Sequence, residues 1–177
     1  MGMDIYGLRP KTSKGTYFRN NVWYWHPLWD YCCTVSPDIT NKVKDGHSNS
    51  GDGLNAVDSR MLGFALKESI NSGQAQKYVD SWNAHVLTLP KESCYCTEEK
   101  LKNSTEIITS ILENGFDITP LLISSKKESQ KLDPNPECRS CSGTGLVPNM
   151  LLSYHIDMGN ITAFSEFLID CGGFQIW

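Results

Sequence analysis

Cys138 and Cys141 stand in the stretch CRSCSGTG, and Cys94 and Cys96 stand in an earlier CYC turn. A Cys-x-x-Cys turn offers two sulfurs at the separation a tetrahedral zinc ion requires, and its backbone amides soften the thiolate charge. Cys-x-Cys is a tighter version of the same turn. Together Cys94, Cys96, Cys138 and Cys141 make a complete four-thiolate set, with His155 as a substitute ligand should the CYC turn give a single sulfur. Four protein ligands close the coordination shell and leave no place for water, so a zinc ion held this way stabilises a fold rather than catalysing a reaction. The rival reading is free thiols, or a disulfide formed on purification, because the spacing is not that of a regular zinc-finger repeat. A redox role is less apt: the redox Cys-x-x-Cys follows a strand and opens a helix, whereas this one follows a proline-interrupted polar stretch.

Other residues could also do chemistry. DGHSNSGDG, residues 45–53, groups His47, Asn49 and Asp52 with three glycines, which would let polar side chains converge on a substrate or ion. It is not an EF-hand, since Ser50 occupies the sixth position where that loop needs glycine. A flexible surface turn is the plainer reading. His26 precedes Pro27, and a pair of His26 or His47 with Asp30 or Asp52 can be drawn, although no spacing demands it. His26, His47 and Asp52 are therefore the catalytic candidates of a chain that otherwise reads as non-enzymatic. It has no Gly-x-Ser-x-Gly, phosphate-binding loop, His-Glu-x-x-His or dinucleotide fingerprint. Trp23, Tyr24, Trp25 and Trp29 crowd one segment, either as a partner-binding surface or as core aromatics.

The elements that must position these groups follow from composition and periodicity. With 177 residues, 40% hydrophobic and 20% charged, the chain fits a single domain over 1–177. A zinc-knuckle excursion is embedded at 94–145, with an exposed linker at 124–137. A net charge of -4 disfavours a polyphosphate partner, although Lys126, Lys127, Lys131 and Arg139 would supply a local basic patch for a nucleic-acid-binding knuckle. No apolar run approaches the ~20 residues that span a bilayer, and the N-terminus lacks the order of a signal peptide, so a cytoplasmic location is expected. Seven cysteines without an export signal argue for thiols and a metal rather than a disulfide framework.

Alternation around Met3, Ile5 and Leu8 predicts a short edge strand, and Pro27 is well placed in the first turn of a helix carrying Leu28, Trp29, Tyr31, Cys32 and Val35. Residues 40–53 read as a loop. Asn55 caps a helix with Met61, Leu62, Ala65, Leu66 and Ile70 on one stripe, and a second helix with Ala75, Tyr78, Val79, Trp82 and Val86 completes a hairpin. A third helix is expected over 97–114, and a last one from Asn160 carries Ile161, Phe164, Phe167 and Leu168 inward. Gly172-Gly173 then turns the chain into a terminal strand that pairs most simply with the first. The fold class is α+β, mainly α-helical with a small terminal β-sheet and a zinc knuckle.

CxxCxGTG resembles one unit of the DnaJ-type zinc domain, which implies ligand roles for Cys138 and Cys141 and, without a J-domain, no chaperone activity. The combination of MGMDIYG, GTYFRNNVWYWHPLWDYC, GHSNSGDGL, CxxCxGTG and GGFQIW resembles a group of small phage and prophage proteins without established function. That resemblance spans most of the chain. It implies a viral protein acting in the bacterial cytoplasm, and a host-protein partner is the reading expected from it, with counter-defence as one such role. A small hydrolase or nuclease-like enzyme built on the 45–53 loop, and a nucleic-acid-binding knuckle, are the alternatives.

Overall fold

The structure, a computed structural model, describes residues 2–97 and 134–177. The helix expected over 97–114 lies, beyond Thr97, outside the described residues, as does the linker of 124–137 up to residue 133. The architecture is α+β and mainly helical, with small antiparallel sheets. The chain forms two compact units, one of Met1–Leu89 with Met150–Trp177 and one of Pro90–Asn149. No described helix is long and apolar enough to cross a membrane.

The larger unit is built on an antiparallel sheet of β1 (Gly2–Gly7), β2 (Tyr17–Asn21), β3 (Gly53–Leu54) and β6 (Phe174–Ile176), in the order β2-β1-β6-β3. The terminal strand does pair with the first, Ile5 opposite Ile176 and Gly7 opposite Phe174. The first strand is not at the edge, however. Tyr17–Asn21, which carries no clear alternation of apolar residues, pairs along its other side with Ile5 opposite Phe18. Paired residues share a face, so Phe18, Ile5 and Ile176 form one row against the helices, and Ile5 and Ile176 are fully buried. The turn into β6 uses Gly172 and Gly173 at φ +65° and +97°, a backbone region that side chains disfavour.

The helix expected to begin at Pro27 begins earlier. α1 spans Val22–Val35, with the Asn21 side chain accepting a hydrogen bond from the Tyr24 N–H as its cap. Pro27 therefore sits inside the helix, where it cannot donate to the carbonyl of Trp23. That carbonyl is satisfied from elsewhere, by the backbone N–H of His155 at 2.9 Å. A single turn, α2 (Pro37–Thr40), follows with Pro37 as its first residue.

α3 (Ala56–Asn71) begins at Asn55, whose side chain accepts from the N–H groups of Val57 and Asp58. Its buried face is Ser59, Leu62, Gly63, Leu66 and Ser69 rather than the full expected stripe, since Met61 is exposed. α4 (Gln74–Thr88) buries Ala75, Val79 and Val86. The last helix of the structure, α5 (Met158–Asp170), starts two residues before Asn160 because Asp157 accepts from the Asn160 N–H. α5 packs closely on α3, with Ser165 Oγ donating to the Gly63 carbonyl at 2.9 Å. Phe164, Phe167 and Phe174 join Trp25 and Trp29 in one buried aromatic cluster.

Candidate metal centre

The Pro90–Asn149 unit has its own small framework. β4 (Glu92–Ser93) pairs antiparallel with β5 (Leu146–Val147), and the Cys94 N–H extends the ladder to the Gly145 carbonyl at 2.8 Å. Each strand carries a cysteine turn at its end. After β4, residues Tyr95–Thr97 form one turn of 3-10 helix, closed by the N–H and hydroxyl of Thr97 donating to the Cys94 carbonyl at 2.9 and 2.7 Å. Before β5, the Ser142 N–H donates to the Cys138 carbonyl and the Thr144 N–H to the Cys141 carbonyl. Ser142, Gly143 and Gly145 all take positive φ there, at 50°, 78° and 72°, which curls the chain back over the sulfurs.

These turns bring the expected ligands together. The sulfurs of Cys94, Cys96, Cys138 and Cys141 all lie within 4.8 Å of one another. Cys94 Sγ is 3.7 Å from Cys138 Sγ, and Cys96 Sγ is 3.6 Å from Cys141 Sγ. Two sulfurs each about 2.3 Å from one zinc ion in a tetrahedron stand about 3.8 Å apart, so the spacing fits shared coordination. It is far from the ~2.05 Å of a disulfide, and none of the seven cysteines is disulfide-bonded. Both sulfurs of the CYC turn belong to the cluster, so His155 is not called on as a substitute.

The electrostatics make the same point. Backbone N–H groups of Cys141 and Ser140 point at Cys138, and with the neighbouring thiols they outweigh its burial and bring it down to about 6. Cys96 receives a backbone hydrogen bond from Asn135, but burial and the other three sulfurs push it up to about 12. Cys94, favoured by the Cys96 N–H, is likewise raised by burial and by Cys138 and Cys141. The turn stabilises one thiolate, while Cys94 and Cys96 are held as thiols, because further negative charge in so small a space needs a cation. The cluster can bind a metal ion. Asn135, Thr97 and Thr144, which fix the turns, carried no signal in the sequence beyond their nearness to the cysteines.

The other candidates divide. Trp25 and Trp29 are 0% and 2% exposed, so they are core residues and not a contact surface. The reason is their place on α1: Trp25 stacks on Trp29, packs edge-on against Phe164 and donates its indole N–H to the Gly46 carbonyl at 2.8 Å. Trp23 is 39% exposed and meets Tyr154 edge to face. Tyr24, half-buried, lines a shallow depression of about 720 Å³ with Arg19, Asn20, Asn21, Asp157 and Asn160. Of the basic candidates, Arg139 is exposed, while Lys126, Lys127 and Lys131 lie outside the described residues.

The 45–53 loop is no free turn. Asp52 accepts from the backbone N–H groups of Lys44, Asp45 and Gly53 at 2.6, 3.0 and 2.7 Å. Burial alone would raise its carboxyl, but the three donors hold it below the ordinary carboxylate range. Asp52 is thus committed to the loop backbone and pairs with neither histidine. His47 and His26 do meet, Nδ1 to Nδ1 at 2.7 Å, and His47 Nε2 lies 3.1 Å from Asp30 Oδ1. Desolvation, with the nearby His47, lowers His26 from its usual value.

No family model matches this chain, and neither curated proteins nor solved structures include one that matches it.

Proposed function

We propose that the four-cysteine cluster holds a structural zinc ion and that the chain works as a binding protein rather than as an enzyme. The observation that carries this reading is the convergence of four sulfurs within 4.8 Å from two turns that frame a two-stranded ladder. Zinc is favoured because four thiolates in a tetrahedron suit zinc or an iron–sulfur cluster, and separations of 3.6–3.7 Å match a single ion. With four protein ligands the ion has no open position, so its contribution is to folding.

Two features support protein binding. The net charge of -4 offers no general attraction to nucleic acid. Trp23, Tyr6, Tyr17 and Trp177 are exposed aromatic side chains, the residue types that anchor protein interfaces. The resemblance to small phage proteins makes a bacterial host protein the expected partner.

Elemental analysis of protein purified without chelator tests the metal: zinc equal to protein supports the reading, whereas iron with visible colour, or no metal at all, sinks it. A pull-down compared between the native chain and Trp23→Ala tests the second part. A partner captured equally by both would remove Trp23 from the contact surface.

A further inference from the structure

His26 and Asp30 lie one turn apart on the outer side of α1, and the 45–53 loop sets His47 above them. The loop is held from several sides. Trp25 Nε1 donates to the Gly46 carbonyl at 2.8 Å, the Gly51 N–H to the Ile176 carbonyl at 2.8 Å, and Asn49 Nδ2 to the Gly2 carbonyl at 3.1 Å. A Cβ on Gly46 would come within 2.1 Å of the Trp29 ring, so the loop also lies flat against the core. His47 is thereby presented at a fixed place, though its own side chain is exposed.

The nitrogens are arranged unusually. His26 Nδ1 and His47 Nδ1 face each other at 2.7 Å, while the opposite nitrogen of His47 contacts the Asp30 carboxylate at 3.1 Å. If Nε2 carries the proton of His47 and donates to Asp30, its Nδ1 presents a lone pair toward His26. A carboxylate on the far nitrogen of an imidazole is the usual outer support of a metal-binding histidine, fixing its tautomer and raising its basicity.

We propose that His26 Nδ1 and His47 Nδ1 form a second metal site, open rather than closed, for a divalent first-row transition ion, with Asp30 as the positioning residue behind His47. Imidazole nitrogens suit zinc, nickel and copper. Two nitrogens about 2.1 Å from a tetrahedral ion stand about 3.4 Å apart, so a small rotation of the exposed His47 ring, with the shared proton passing through water from His26 Nδ1 to its Nε2, replaces the hydrogen bond by the ion. The remaining positions are left to water or to an incoming oxygen or nitrogen ligand. This site stands on its own residues and does not depend on the cysteine cluster.

Nickel(II) is the probe, titrated into the intact chain as purified, with imidazole proton resonances followed by NMR. Paramagnetic broadening of His26 and His47 at nickel concentrations that leave His85 sharp is the expected result. Asp30→Asn, at an exposed position, should raise the half-saturating concentration about 10- to 100-fold, and His26→Gln or His47→Gln should bring it to that of His85. The Trp25 indole N–H resonance, set by its bond to Gly46, reports whether the loop is still seated in each variant. If His47→Gln unseats it, His26→Gln decides. Broadening of His85 in step with His26 and His47, no broadening at excess nickel, or an unchanged response in the seated variants would each overturn the site and leave a hydrogen-bonded histidine pair.

Discussion

The backbone N–H of His155 lies 2.9 Å from the carbonyl oxygen of Trp23, the acceptor that Pro27 leaves unpaired within α1. A proline in a helix interior removes one hydrogen bond and crowds the preceding turn, at a cost of about 3 kcal/mol. Here the freed carbonyl ties the segment leading into α5 to the start of α1. The bond predicts that the His155 amide exchanges slowly with solvent although its side chain is exposed. Pro27→Ala supplies a competing N–H, so exchange at His155 should quicken in that variant. Equal exchange rates in the two proteins would show that the contact carries no weight.

The zinc reading predicts a local response to chelation. Hydrogen exchange at residues 90–97 and 134–149 should accelerate strongly when the metal is removed, because ligand binding and folding of such a unit are one event. All five tryptophans lie outside Pro90–Asn149, so their emission reports the other unit separately. Cys138→Ser should lower bound zinc and reproduce the chelated pattern without chelator. Unchanged exchange on chelation would mean that the turns stand without a metal.

Asp52 gives a prediction with a definite pH sign. Asp52→Ala leaves the N–H groups of Lys44, Asp45 and Gly53 without their acceptor. Water reaches part of this exposed site, so the expected loss is about 1–2 kcal/mol in urea unfolding. The native carboxyl lies below its unfolded value of about 3.9, so its stabilising effect is complete above that pH and vanishes as pH falls through the folded value. The gap between native and variant chains should close under acid. A gap independent of pH would assign the effect to something other than the carboxylate charge.

The cysteine cluster could be read from the sequence because its members announce themselves by type and spacing, and Cys94, Cys96, Cys138 and Cys141 need no knowledge of the fold to be grouped. Helix α3 was equally plain, since Asn55 and the apolar spacing agree. The start of α1 was hidden by a local rule: proline favours first turns, and the His155 bond that lets Pro27 lie deeper comes from far along the chain. The second edge of β1 was hidden in the same way, because Tyr17–Asn21 becomes a strand through its partner and not through its own pattern. His47 reaches His26 only because Asp52 and Gly46 fix the intervening loop, a relation that no spacing encodes.

Gly63 lies where α3 and α5 approach each other closely. A Cβ there would lie 2.9 Å from Ile169 Cγ1 and 3.0 Å from the Ile169 backbone nitrogen and Leu168 Cβ. Gly63→Ala gains about 1 kcal/mol of helix propensity, but overpacking typically costs about 1–3 kcal/mol. A net loss of up to about 2 kcal/mol is expected, with the Ser165 bond to the Gly63 carbonyl lengthened. A stabilised variant would show that the two helices can part without penalty.

Trp23 and Trp25 differ by two positions on α1 and should differ sharply in what they do. Trp25 is fully buried among Trp29 and Phe164, and Trp25→Ala should cost about 3–5 kcal/mol while also freeing the Gly46 carbonyl and loosening the 45–53 loop. Trp23 loses its edge contact with Tyr154 and its partial burial, so Trp23→Ala should cost about 1–2 kcal/mol, clearly less than Trp25→Ala. Thermal unfolding of the two variants checks the contrast, and similar losses would contradict the burial that separates them. Because Trp23→Ala leaves the core intact, any fall in partner capture by that variant reads as loss of contact surface and not as loss of fold.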